Sequence, residues 1–331
     1  MSTSSQGPAS SPASTTHVLP FEKPVVDVLA RVREMRELAR GDRSLDTELR
    51  KLEERAAKLA RQVFAELTPW QKVQLSRHPN RPYTLDYITR IFEDFKELHG
   101  DRVFGDDPAV VAGFARLRGR SVIVVGHQKG RGAKERVKRN FGMPHPEGYR
   151  KARRIYEIAG RFGLPIITLV DTPGAFPGIG AEERGQSEAI GACLATMSRA
   201  PVPIVSTIIG EGGSGGALAL AVANRVLVVE YGTYSVITPE GCASILWKDG
   251  AKADQAAERM KITAPDLLRL GVVERIVDEP AGGAHQDHDE AARLVGAAIM
   301  QSLAEVEAIG PKQALIEHRY QRFRALGALA T

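Results

Sequence analysis

From Pro24 onward, apolar and charged positions alternate at helical spacing. Val25, Val28, Leu29, Val32, Met35 and Leu38 fall on one stripe, and Pro24 suits a first helical position. Gly41 breaks the pattern, and Ser44 is placed to cap a second helix. In that helix Leu45, Leu49, Leu52, Ala56, Leu59, Val63 and Leu67 recur at spacings of three and four, separated by Lys, Arg and Glu. The narrow seam predicts an αα-hairpin, either packed on its own domain or clasping a partner. Residues 1–16, ahead of it, are Ser, Thr, Pro, Ala and Gly without periodicity and read as a disordered tail.

A third helix is expected from Thr84 to about Leu98, closed by Gly100. After Asp106-Asp107-Pro108 the texture becomes that of strands. Residues 110–117 and 121–127 flank Arg118-Gly119-Arg120, a hairpin turn. Residues 165–170, 204–209 and 226–229 are continuous apolar runs, the mark of strands buried on both faces. Helical patterns at 147–162, 185–197 and 215–223 separate them. Residues 267–277 end in one more strand, and two amphipathic helices follow from about Asp287. The alternation predicts an α/β domain with largely parallel pairing behind an opening hairpin. The expected organisation is a tail at 1–16, a helical arm at 17–80 and an α/β domain at 81–331.

The 331 residues are 43% hydrophobic and 26% charged, enough chain for a sizeable core. The longest uncharged apolar stretch, 213–224, is too short and too glycine-rich to span a bilayer. Cys193 and Cys242 are the two cysteines, neither lies in a zinc-type spacing, and both fit a reducing compartment. A soluble, cytoplasmic chain without a metal of its own is therefore expected. The net charge of +5 suggests anionic partners without naming them.

Chemistry concentrates in two glycine turns. Gly210-Glu211-Gly212-Gly213-Ser214-Gly215-Gly216 follows one apolar run and opens a helix, so its backbone can approach a ligand and its amides can face an anion. Such a turn binds phosphate or a developing oxyanion. No Lys follows Gly215 or Gly216, which argues against a P-loop. The literal GxGxxG at Gly210, Gly212 and Gly215 comes late in the sheet, which argues against a dinucleotide site. The second turn, Asp171-Thr172-Pro173-Gly174-Ala175-Phe176-Pro177-Gly178, follows the preceding apolar run. Two such turns at neighbouring strand ends line one cleft, with Gly174, Ala175, Phe176, Gly212 and Gly213 as its substrate-facing residues. Asp171 reads as a residue that holds its own turn, with a catalytic carboxylate as the alternative.

These two turns resemble the crotonase superfamily and, within it, the biotin-dependent carboxyltransferases. Further stretches narrow the resemblance to the alpha-subunit family of acetyl-CoA carboxylase: Arg81-Pro82-Tyr83-Thr84-Leu85-Asp86-Tyr87, Asn140-Phe141-Gly142-Met143-Pro144, Glu182-Glu183-Arg184-Gly185-Gln186-Ser187-Glu188-Ala189, and Pro239-Glu240-Gly241-Cys242-Ala243-Ser244-Ile245-Leu246-Trp247. The likeness runs from about Phe21 to near the C-terminus. It implies a crotonase-like ββα superhelix, with the helical hairpin as an N-terminal arm. It also implies transfer of a carboxyl group from carboxybiotin, on a biotin carboxyl carrier protein, to acetyl-CoA, giving malonyl-CoA for fatty acid biosynthesis. A zinc-bearing beta subunit would complete the site in an alpha2beta2 assembly, and ATP would be used only by a separate biotin carboxylase. The resemblance assigns the oxyanion hole to Gly215 and Gly216, which would hold the ureido oxygen of biotin as CO2 departs. Biotin's own nitrogen would take the methyl proton, in keeping with the lack of a Ser-His-Asp or paired-carboxylate motif.

Other residues carry open readings. Arg184 is a substrate-binding candidate. Lys129, Arg131 and Lys134, in a cluster with Arg136, Lys138 and Arg139, could meet coenzyme A phosphates, an acidic neighbouring subunit or only solvent. Nucleic acid ranks last for want of interleaved aromatics. His127 ends a strand beside this cluster and could face the cleft, although a lone histidine is more often structural, and Cys242 reads as core. A self-sufficient hydratase or decarboxylase would need a base among Glu182, Glu183 and Glu211, and Ser214 as nucleophile would need a His–Asp pair. A non-catalytic module would use the arm and the basic cluster.

Overall fold

The computed structural model describes residues 17–327, so the tail assigned to 1–16 lies outside the described residues. The chain divides into two compact units at Ala56/Ala57, within the helix Asp46–Ala65. In the first unit a 3-10 turn, Pro20–Glu22, leads into the helix Lys23–Ala39, with Pro24 in its first turn. The Glu22 carboxylate accepts the Leu19 N–H at 2.8 Å. Asp42 fastens the entry to the second helix by accepting the Ser44 N–H at 2.8 Å. Arg36 on the first helix donates to Glu53 on the second at 2.6 Å, so the two helices of the expected hairpin meet.

The second unit is built on one eight-stranded sheet. Its strands are β1 (Glu93–Glu97), β2 (Val110–Leu117), β3 (Arg120–His127), β4 (Ile166–Thr172), β5 (Ile204–Gly213), β6 (Arg225–Val229), β7 (Thr233–Ser235) and β8 (Arg275–Val277). Their order is β1-β2-β3-β4-β5-β6-β8, with β7 paired to the end of β5. The first three strands are antiparallel, and β3 through β8 pair in parallel. The turn from β2 to β3 is two residues, Arg118 at φ 48° and Gly119 at φ 76°, the left-handed pair that a tight hairpin needs.

Alternation along each strand feeds two cores. Ile123, Val125, Ile166, Val170, Ile204 and Ile208 face one side, packed with the helices Pro146–Phe162 and Gln186–Arg199. Val122, Val124, Ile167, Leu169, Val205 and Ile209 face the other, packed with Thr84–Ile91 and His288–Glu307. Both faces are covered, which is why the runs read as continuously apolar.

Three expectations are corrected. The helix at Thr84 ends at Ile91, and 93–97 form β1 instead. This edge strand carries mostly charged residues, which blunt an open edge and conceal its period. The glycine-rich stretch to Gly213 remains strand, lengthening β5 beyond 209, and the helix after it is only Ser214–Leu218. Hydroxyls of Thr168 and Ser206 donate to the Leu220 carbonyl at 2.6 and 3.1 Å, fixing the chain there in a turn. The remaining C-terminal helices begin as expected, with Asp287 accepting the N–H groups of Asp289 and Glu290.

Candidate active site

The site begins with a change of register. β4 and β5 pair one for one from Ile166 opposite Ile204 to Val170 opposite Ile208, then resume at Thr172 opposite Gly212. Asp171 alone therefore faces Ile209, Gly210 and Glu211. Such a bulge bends a strand and re-aims the residues beyond it. The Asp171 carboxylate fills the gap: its Oδ1 accepts the Glu211 N–H at 3.1 Å and lies 2.8 Å from Lys129 Nζ. A Cβ on Gly210 would stand 2.5 Å from that same oxygen, so only glycine fits. Asp171 thus holds its turn through backbone and ion-pair contacts.

Beyond the bulge the two glycine turns touch. Thr172 Oγ1 accepts the Gly174 N–H at 3.1 Å, and Gly174 has φ 153°. Pro144 and Phe176 are tied together by Gln186, whose Nε2 donates to both carbonyls at 2.9 Å. The Phe176 ring lies against His145, 4.2 Å between centroids. From the other side, Gly213 lies so close to the Pro173 carbonyl that no side chain could intervene. A Cβ on Gly216 would meet the Ala175 amide nitrogen at 2.6 Å, Tyr149 Oη at 2.7 Å and the Gly174 carbonyl carbon at 2.8 Å. The corresponding atom on Gly215 would meet only Ile190, at 3.6 Å. Gly174, Ala175, Gly213 and Gly216 are thus packed together, and Ser214, exposed and at φ 55°, forms the sharp strand-to-helix corner.

A cavity of about 620 Å³ opens from Ser214 and Gly215, walled mainly by apolar side chains such as Tyr234, Ile237, Leu267 and Phe323. Cys242 lines it and is half-buried, a correction to its reading as core; the interrupted apolar pattern after β7 hides the cavity from sequence. Cys193 is the core cysteine, with its thiol donating to the Tyr149 carbonyl at 3.0 Å and pushed up to about 12 by burial.

The ionisable groups behind the turns are paired. Lys129 Nζ, on a side chain 14% exposed, lies 2.8 Å from both Asp171 and Glu211. Burial disfavours its charge, but the two carboxylates outweigh this and raise its pKa. Burial likewise opposes ionisation of Glu211, yet Lys129 and Arg77 hold its pKa below the ordinary value. Arg77 donates to Glu211 at 2.8 Å and to Glu240 at 2.6 Å. Glu211 is therefore a fixed anion and a poor base. His127 is fully buried, in keeping with the structural reading of a lone histidine rather than a cleft-facing one. Burial, then Lys129, depress its pKa to about 3, and its neutral ring accepts the Asp171 N–H at 3.3 Å.

The remaining candidates spread outward. Arg184 donates to Glu147 at 2.8 Å and lies 4.7 Å over the Phe104 ring. Arg131 donates to Asp86 at 2.8 Å and covers Tyr83, while Lys134 is exposed on the helix Gly132–Lys138. Gly212 packs under Tyr234, and Glu182 and Glu183 are exposed. Sequence reasoning missed Arg77, Tyr149 and Glu240. Arg77 and Glu240 belong to contacts 134 and 163 residues apart, which no local pattern signals.

The family described as acetyl co-enzyme A carboxylase carboxyltransferase-like matches residues 18–327. The chain belongs to this family. Among relatives of this carboxyltransferase chain, the acetyl-coenzyme A carboxylase carboxyl transferase subunit alpha of Sorangium cellulosum is 66% identical over 94% of this chain and 98% of its own. The protein of the same name from Thermus thermophilus is 56% identical over 94% and 99%. Solved structures show the crotonase-like carboxyltransferase fold. Transcarboxylase 12S aligns at TM-score 0.55 and 22% identity over 68% of this chain, which spans 42% of that longer protein. A Pseudomonas malonate decarboxylase hetero-tetramer in complex with coenzyme A aligns at TM-score 0.55 and 17% identity, over 67% of this chain and 89% of that one. Among the described residues no helix is long and apolar enough to cross a membrane.

Proposed function

We propose that this chain supplies the carboxybiotin side of a split active site, in which a beta subunit binds acetyl-CoA and malonyl-CoA is formed for fatty acid biosynthesis. The observation that carries this reading is the packing of Gly216 against Ala175, which brings two glycine turns together at the mouth of an apolar cavity. As carboxybiotin loses CO2, negative charge gathers on its ureido oxygen. The N–H groups of Gly215 and Gly216 stabilise that charge as fixed dipoles that need not reorganise. The biotin nitrogen then takes a proton from the acetyl methyl group, and the resulting enolate, held on the beta side, attacks CO2.

The chain's own carboxylates support this division of labour. Glu211 is locked between Lys129 and Arg77, and Glu182 and Glu183 are exposed, so none of these three glutamates is placed as a buried general base at the turns. Gly174, Ala175, Phe176, Gly212 and Gly213 would shape the biotin approach, and Arg184 would border it. Lys134 is free to meet coenzyme A phosphates. Lys129 is committed to carboxylates and Arg131 to Asp86, which leaves both with less to offer a phosphate. The partners would be a zinc-bearing beta subunit in an alpha2beta2 assembly, the biotin carboxyl carrier protein and the biotin carboxylase, in the cytoplasm. The test is a carboxyl-transfer assay on the chain with and without that beta subunit, in which the mixture alone should turn over.

A further inference from the structure

Lys129 is one cation shared by the carboxylates that anchor both glycine turns. Asp171 stands two residues before Pro173-Gly174, and Glu211 directly precedes Gly212-Gly213. Both lie 2.8 Å from Lys129 Nζ, and the Glu211 amide bonds Asp171 across the bulge. The linkage continues outward. The other Glu211 oxygen accepts from Arg77, and Arg77 reaches Glu240 on the helix Pro239–Trp247, which carries the cavity residue Cys242. The chain also bends to fit around the lysine stem. Asn140, Phe141 and Gly142 are three consecutive left-handed residues, at φ 49°, 56° and 79°, and a Cβ on Gly142 would fall 2.6 Å from Lys129 Cγ. Strained backbone of this kind persists only where surrounding contacts demand it.

A buried ion pair contributes little net stability compared with well-packed apolar residues, because desolvation offsets the attraction. What it imposes is geometry: one nitrogen within hydrogen-bond reach of two carboxylates fixes the distance between the strand ends that bear them. We propose that Lys129 is a positioning residue for carboxyl transfer, setting the spacing of the two glycine turns and hence the aim of the Gly215 and Gly216 N–H groups. It touches no substrate. This role rests on the split-site function proposed for the chain.

The test uses the full alpha–beta complex carrying Lys129→Met, with Asp171→Asn in parallel. Asp171→Asn keeps the side chain's shape and an oxygen for the Glu211 amide, so it decides the matter if Lys129→Met fails to assemble. Both variants should lose kcat on the order of a hundredfold, as expected for ångström-scale misplacement, while KM for acetyl-CoA and for carboxybiotin stays within about twofold of wild type. Arg319→Met, at the opposite ends of the strands, is the control: it should lower thermal stability and retain kcat per assembled complex. Wild-type kcat in the assembled variants, or a loss seen only in KM, overturns the role of Lys129. Absence of transfer by the wild-type complex would instead overturn the functional reading beneath it.

Discussion

Asp171 Oδ1 accepts the Glu211 N–H at 3.1 Å, close to where a side chain on Gly210 would have to go. The bulge between β4 and β5 therefore needs a side-chain oxygen acceptor on one strand and a glycine on the other. Gly210→Ala would bring a methyl group 2.5 Å from that oxygen and 3.1 Å from the Ser76 carbonyl. Overpacking of this kind costs about 1–3 kcal/mol. Urea denaturation should show a lowered midpoint, and carboxyl transfer should fall with it. An unchanged midpoint would mean that the bulge can relax.

Gly215 and Gly216 should respond differently to the same substitution. At Gly216 an added methyl meets backbone on the facing turn, whereas at Gly215 it has room against Ile190. Gly216→Ala is expected to lose both thermal stability and activity. Gly215→Ala should fold normally and gain up to about 0.5 kcal/mol from reduced chain freedom. This modifies the simplest expectation for Gly216→Val, which is a blocked ligand in an otherwise intact assembly. The protein's own atoms occupy the space, so the turn itself would be disturbed. Calorimetry of the two alanine variants separates the cases.

Asp101 should dominate part of the acid limb of stability. Burial raises its pKa, but N–H groups of Val103, Phe104 and Gly105, with Arg150, outweigh this and lower it to about 2. A depressed carboxylate stabilises the fold above its unfolded pKa, and that contribution is lost as pH falls through the folded value. From pH 4 to pH 2 Asp101 should thus give up about 2 kcal/mol. Melting curves across this range should be shallower for Asp101→Asn, which starts from a lower plateau. Parallel curves for the two proteins would remove Asp101 from the acid transition.

Arg319 is fully buried and donates to the carbonyls of Met197, Ser198, Ala200 and Val202 and to Asn224 Oδ1. It satisfies the orphan carbonyls at the end of the helix Gln186–Arg199. Burial alone lowers its pKa, to about 10. Arg319→Met should cost about 3 kcal/mol by leaving those acceptors unpaired. Denaturant titration gives the loss directly, and a cost below about 1 kcal/mol would mean that water replaces the guanidinium.

The sheet was largely legible in the sequence because both its faces are buried, so β4, β5 and β6 stand out as apolar runs between amphipathic helices. The left-handed pair Arg118 and Gly119 sits where the hairpin turn was expected. Edge strand β1 escaped notice because its charges suit an open edge more than they show a period. The glycine turns could be found as motifs, but the contacts that hold them could not. Asp171, Glu211 and Lys129 are 40 to 82 residues apart along the chain, and their meeting depends on strand order and the bulge. His127 ends a strand whether it faces a cleft or the core, and only the packing around it distinguishes the two.

The most direct test of the split site is transfer of carboxyl from carboxybiotin to acetyl-CoA, measured with the purified chain, with the beta subunit and with both. The mixture should form malonyl-CoA where neither component does alone, and Gly216→Ala in the mixture should abolish it. Turnover by this chain alone would contradict a shared site and require a base within its own cleft.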